Sequence, residues 1–223
     1  MLIIGHRGAA GHEPENTIQS FNKAIELGAK MIEFDVQLCK SGEVVVIHDF
    51  TLERTTNGTG LVIETLLTEV KKLDAGKGQQ IPTLDEVLDT IDKKTVVNIE
   101  LKGKAIAQPA AKIISNFIEN NNWQTYDFLI LSFNHDELFA FKKLMPEIRI
   151  GVLYEDIPAN FNETASALNA YSINADFNSF NKKIVTQIHS MGYKVYAYTV
   201  NTKEDRLKMK KIGLDGIFTD FPD

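Results

Sequence analysis

Cys39 is the single cysteine in a chain of 223 residues. That excludes an intramolecular disulfide and suits a reducing compartment. Long apolar runs are missing too. The opening Met1-Leu2-Ile3-Ile4-Gly5 is too short for the core of a signal peptide or for a membrane span, so a cytoplasmic protein without stable membrane insertion is expected. Basic residues do not predominate: 24 Lys and Arg stand against 30 Asp and Glu, a formal net charge of −6, and no general nucleic-acid footprint is expected. Low-complexity tracts and domain linkers are absent as well. With 43% hydrophobic and 24% charged residues, the composition is that of an ordinary globular domain. One domain over residues 1–223 is expected, as a monomer or homodimer.

What the chain does have is acid where a strand should be apolar. In Met31-Ile32-Glu33-Phe34-Asp35-Val36 the side chains of a strand alternate between two faces. Glu33 and Asp35 share one face, and Ile32, Phe34 and Val36 the other. Like charges side by side on a strand repel, and a divalent cation between them would offset that cost. Val96-Val97-Asn98-Ile99-Glu100-Leu101-Lys102 repeats the pattern, with Asn98, Glu100 and Lys102 on the polar face. A salt-bridge ladder on an exposed sheet is the bland explanation for either strand alone. Two such strands in one chain favour a site.

Strand-length apolar runs alternate with helical periodicity throughout. Strands are predicted over 2–6, 31–36, 96–101, 127–132, 148–153, 171–175, 193–199 and 215–218, and helices over 16–28, 84–92, 105–121, 134–145, 160–169, 181–191 and 202–212. Asn16 with Gln19 offers a capping-box-like start to the first helix, and Gly28, Gly192 and Gly213 stand where helices should stop. Eight strand-helix units predict a closed (β/α)8 barrel of the TIM type, with a doubly wound open sheet as the alternative. Little or no eighth helix follows the last strand. Residues 37–83 form an insertion after the second strand, containing a hairpin strand from Glu43 to Ile47 and a Gly/Thr/Lys-rich stretch. In a barrel such an insertion lies on the active-site face. It shows no hydrophobic core of its own and reads as a lid or small subdomain.

Gly5-His6-Arg7-Gly8 ends the first strand, where a barrel keeps its catalytic groups, and the glycines would let a ligand approach the backbone. Val44-Val45-Val46-Ile47-His48-Asp49 places His48 at the tip of the hairpin. Three carboxylates without a thiolate or imidazole pair favour a hard cation, Ca²⁺ or Mg²⁺, over Zn²⁺. Arg7 offers a fork for phosphate oxygens and Lys102 a point charge. Histidine as a residue type ordinarily exchanges protons near neutrality, so His6 and His48 suit acid and base roles. Together these groups suggest phosphodiester chemistry. His12, His135, His189 and Cys39 are read as structural.

Several spaced motifs then resemble the glycerophosphodiester phosphodiesterases. They are His6-Arg7-Gly8, Pro14-Glu15-Asn16-Thr17, Ile32-Glu33-Phe34-Asp35-Val36, His48-Asp49 with Leu52, Arg54, Thr55 and Gly58, Ile81-Pro82-Thr83-Leu84, Asn98-Ile99-Glu100-Leu101-Lys102, Ser132-Phe133, Thr199-Val200-Asn201 and Gly216-Ile217-Phe218-Thr219-Asp220. The resemblance runs in order along nearly the whole chain. It implies metal-aided hydrolysis of small glycerophosphodiesters to an alcohol and sn-glycerol 3-phosphate. Carried over position by position, His6 and His48 take the acid/base roles, and Glu33, Asp35 and Glu100 hold the metal. Arg7, Lys102, Phe133 and Tyr198 contact substrate, and Glu15 orients Arg7 or its loop. Tyr198 stands where many members carry Trp. The insertion is short near Gly76 to Gln80, which bears on the width of the alcohol-side pocket. A water or a neighbouring glycerol hydroxyl would attack, with His6 as base and His48 as acid. Two rivals are a lysophospholipase D- or sphingomyelinase D-like enzyme acting on larger lipids, and a non-catalytic barrel that senses metal or phosphodiester.

Overall fold

The computed structural model describes residues 1–223. Nine strands form one sheet: β1 Leu2–Gly5, β2 Met31–Leu38, β3 Val44–Val46, β4 Val96–Leu101, β5 Phe128–Ser132, β6 Arg149–Tyr154, β7 Ser172–Asp176, β8 Lys194–Tyr198 and β9 Gly216–Thr219. β1 pairs in parallel with both β9 and β2, so the sheet closes on itself. The ring has eight parallel strands, and β3 lies outside it, antiparallel on β2 with Val36 opposite Val46. This is the predicted (β/α)8 barrel, and the open sheet is excluded.

The helices are α1 Ile18–Glu26, α2 Leu67–Val70, α3 Leu84–Ile91, α4 Ala107–Asn120, α5 His135–Leu144, α6 Phe161–Ala167, α7 Lys182–Ser190 and α8 Lys203–Ile212. Seven of them connect consecutive barrel strands, α2 belongs to the insertion, and no helix follows β9. No helix is long and apolar enough to cross a membrane. Gly28, Gly192 and Gly213 have φ of +83°, +90° and +95°, the left-handed conformation that ends a helix with little steric penalty for glycine.

The strand parity sorts the side chains as the sequence predicts. Ile32, Phe34, Val36, Val97, Ile99 and Leu101 join a cluster of 46 buried residues between sheet and helices. The barrel interior holds a far smaller apolar group of seven, including Ile4, Met31, Leu131, Leu153 and Phe218. The polar inward row therefore has an apolar floor beneath it, and the barrel mouth is free for a site.

Two local expectations are corrected. The cap of α1 is Thr17, whose Oγ1 accepts from Ser20 N at 3.2 Å. Asn16 turns instead toward β2, with φ +57°, a conformation that asparagine tolerates better than most residues. The insertion also has its own core: Cys39, Val45, Ile47, Leu52, Val62, Val70, Ala75 and Ile81 form a buried cluster. These residues come from separate short stretches of the insertion, so no single periodic run announces them. Cys39 is buried there, with its thiol donating to Glu43 Oε2 at 3.1 Å.

Candidate active site

β2 and β4 are adjacent and in register, with Asp35 opposite Glu100 and Glu33 opposite Asn98. One carboxylate oxygen from each of Glu33, Asp35 and Glu100 lies within 4.8 Å of the others, and all three residues are buried. Two cations face them. Lys102 Nζ is 2.6 Å from Glu100 Oε1 and 3.3 Å from Asp35 Oδ1, and Arg7 Nε is 3.5 Å from Asp35 Oδ2. Three acids against two cations leave one negative charge uncompensated. The donor set is all oxygen, with no histidine or thiolate within it, and fits a hard divalent cation. Asn16 Nδ2 donates to Asp35 Oδ2 at 2.9 Å, and the Arg7 backbone N–H donates to Glu33 Oε2 at 2.9 Å. Arg7 has φ +51°, which aims that N–H inward.

The three acids are not equivalent. Burial, and next the charges of Asp35 and Glu100, push Glu33 well above the ordinary carboxylate range. Burial, followed by Asp35, pushes Glu100 up to about 7. Burial acts the same way on Asp35, but Lys102 and Arg7 override it and hold that carboxylate low. In the metal-free protein Asp35 is thus the acid whose ionised form is favoured, and the ionised forms of Glu33 and Glu100 are disfavoured. The sign for stability follows. Groups with raised folded pKa stabilise fully below their unfolded value near 4.5, and that contribution is lost as pH rises toward about 7. The melting temperature of the stripped protein should therefore fall from about pH 5 to about pH 8, and the gain on adding Mg²⁺ or Ca²⁺ should grow over the same interval. Thermal melts with and without EDTA check this. A metal-induced gain that shrinks with pH would contradict it.

Each site histidine is held by an aspartate. His6 Nδ1–H donates to Asp220 Oδ1 at 2.7 Å, and Asn201 Nδ2 donates to the other oxygen of that carboxylate. His48 Nδ1–H donates to Asp49 Oδ1 at 2.6 Å. Because a carboxylate only accepts, these bonds set the tautomer and leave each Nε2 for proton transfer. Burial lowers the His48 pKa, with Asp35 opposing. Arg54 ties the loops together, donating to Asp49 and to Glu15, which also accepts from Arg7 at 2.7 Å. The Gln37 amide, third in the inward row after Glu33 and Asp35, faces the carbonyls of Ile47, His48 and Asp49 at 3.0, 2.9 and 2.7 Å. Sequence reasoning assigned no site role to Gln37, Asp49, Arg54 or Asp220, and took Asn16 for a helix cap. Gln37 was legible from parity, and Asp49 from its place beside His48.

His6, Arg7, Glu33, His48, Glu100 and Lys102 all line one cavity of about 250 Å³. Phe133 and Tyr198 form its wall, edge to face at 5.9 Å, and the Tyr198 hydroxyl donates to Tyr154 O at 2.6 Å. His12, His135 and His189 stay outside, bonded to Asp223, Leu153 O and Asp215. Two expectations change. Glycines 5 and 8 serve the protein's own packing: a Cβ on Gly8 would lie 2.3 Å from Ser20 Oγ, and one on Gly5 would lie 2.5 Å from Gly8 O. Gly76 to Gln80 rests against Pro14 and Gln19, not on the cavity.

The model of the glycerophosphoryl diester phosphodiesterase family matches residues 6–223. The chain belongs to that family. It is 43% identical to a glycerophosphodiester phosphodiesterase of Caldanaerobacter subterraneus subsp. tengcongensis, over 100% of this chain and 95% of the relative. A phosphodiesterase of Oleispira antarctica, solved in complex with the product sn-glycerol-3-phosphate, superposes with a TM-score of 0.93 at 35% identity, covering 100% of this chain and 94% of that one. A human lysophospholipase D is more distant, at 25% identity over 98% of this chain and 83% of its own.

Proposed function

We propose that the protein hydrolyses small glycerophosphodiesters, such as glycerophosphocholine and glycerophosphoethanolamine, to an alcohol and sn-glycerol 3-phosphate. One observation carries this reading: Glu33 and Glu100 of a buried all-oxygen triad completed by Asp35, two cations and two aspartate-held histidines line a single small cavity. The family and the product bound by the Oleispira relative support the same substrate class. Glu33, Asp35 and Glu100 would hold the cation, Mg²⁺ or Ca²⁺, which supplies Lewis-acid polarisation of a phosphoryl oxygen when bound. Arg7, fixed by Glu15, and Lys102 bind the phosphate oxygens. Phe133 and Tyr198 confine the glycerol end. His6 takes the proton of the attacking water as its oxygen bonds to phosphorus, or that of a neighbouring glycerol hydroxyl, in which case a cyclic phosphate forms and a water then opens it to glycerol 3-phosphate. His48 gives a proton to the alcohol oxygen as the other P–O bond breaks.

The protein stripped with EDTA should release no glycerol 3-phosphate from either diester, and release should return with Mg²⁺ or Ca²⁺. No release with either metal would overturn the proposal. Lysophosphatidylcholine belongs in the same assay, because faster turnover of it would favour the lysophospholipase D alternative.

A further inference from the structure

A second depression opens beside the cavity. It is a groove of about 520 Å³, and it shares His48, Glu100, Lys102, Phe133 and Glu155 with the cavity's lining. The two spaces therefore adjoin across these side chains. His6 and Arg7 line only the cavity, whereas His48 borders both. A diester lying across His48 would have its phosphate against Arg7 and Lys102, one arm in the cavity, and the other in the groove.

Two features set the groove's chemistry. The first is charge. Glu155 follows directly on β6, and its carboxylate makes no ion pair or side-chain hydrogen bond in the protein. The other acid on the groove, Glu100, is already paired with Lys102 at 2.6 Å. Lys104 also opens on the groove, beyond ion-pair reach of Glu155. The second is aromatic surface. Phe50 is 55% exposed and is the open ring of the groove, which it lines with Phe133, whose ring already faces Lys102 Nζ at 5.7 Å. A ring left in water beside a free carboxylate matches the recognition of an organic cation, whose charge is attracted by a ring face and by an acid alike.

We propose that this groove receives the leaving alcohol, and that Glu155 with Phe50 selects alcohols bearing a cationic nitrogen. Glu155 is then a specificity residue outside the reacting centre. The assignment rests on the diesterase reading above, and it agrees with His48 as the acid, since His48 stands where the alcohol departs.

The test is a ratio measured on one preparation, so partial loss of folded protein cancels. Wild type and Glu155→Gln are each assayed, with metal, on glycerophosphocholine and on the uncharged glycerophosphoglycerol. In Glu155→Gln, the ratio of kcat/KM for the choline diester to that for the glycerol diester should fall by about fivefold or more, chiefly through KM. Phe50→Leu should move the ratio in the same direction. An unchanged ratio in Glu155→Gln overturns the groove assignment while leaving the diesterase reading intact. Wild type hydrolysing neither diester overturns the diesterase reading, and the groove assignment falls with it.

Discussion

With His48 replaced by alanine, release of glycerol 3-phosphate falls by about 10²–10⁴-fold, and His6→Ala costs the same order. Both side chains are only partly buried at the mouth of the barrel, so the fold should survive and the melting temperature should move little. The loss belongs in kcat, because neither ring carries the charge that binds the phosphate. Combining the two substitutions should cost little more than one alone, since groups acting on the same step are not additive. A variant of either histidine that keeps more than a tenth of wild-type kcat would remove it from the proposed proton transfers. The aspartates behind the rings give a graded control. Asp220→Asn and Asp49→Asn leave the imidazoles in place but exchange an acceptor for a mixed donor and acceptor, so the tautomer is less firmly set. They should reduce kcat by less than loss of the ring does.

The second large effect separates two neighbours on β2. Glu33→Gln and Asp35→Asn each remove one oxygen ligand charge, and both should abolish metal-dependent turnover. Their effects on the metal-free protein should be opposite. Glu33 is buried beside Asp35 and Glu100, and its ionised form is disfavoured. An uncharged Gln keeps the acceptor for the Arg7 N–H and removes the repulsion, so the stripped variant should melt higher than stripped wild type at about pH 8. Asp35 is 1% exposed and is surrounded by Arg7, Lys102 and Asn16. Neutralising it leaves buried cations short of a partner, a loss of about 3 kcal/mol or more. Stripped Asp35→Asn should melt lower at every pH above the aspartate range. If both variants shifted the same way, the charge distribution described for the triad would be wrong.

Parity made the barrel and its acids readable. A strand has a period of two, and Glu33, Asp35 and Glu100 break the apolar alternation on one face only, so the inward row was visible without any coordinates. The partners that hold the row were less visible. Asn16 reads as a helix cap in the sequence because the cap residues are local, whereas its bond to Asp35 spans 19 positions. The pairing of His6 with Asp220 spans 214. Only closure of the barrel, which sets β1 against β9, brings those ends together. The core of the insertion escaped notice for a different reason. Its apolar residues come from a strand, short turns and one brief helix, and no single period links them. Glu155 and Phe50 carry no motif at all. Each lies just past a strand end or hairpin, and their meeting on one groove depends on the loops.

The grip of Gln37 on three successive carbonyls has a consequence for how much the insertion can vary. It fastens the turn carrying His48 to the same strand that carries Glu33 and Asp35. His48 and the acids of that strand therefore move as one body, whatever follows. Beyond Arg54 the segment is held separately, by its share of the buried core and by Lys77 to Glu13, Lys71 to Glu86 and Gln79 to the Gln19 N–H, so only exposed turns such as the one at Gly60 could lengthen at the slow cost of closing a longer loop, about 0.6 kcal/mol per doubling. A deletion between Val46 and His48 has no such latitude, since it would carry the histidine off the three-carbonyl register. The hairpin is thus the fixed rail of the insertion, and the freedom to drift in length is left to the exposed turns that hang from it.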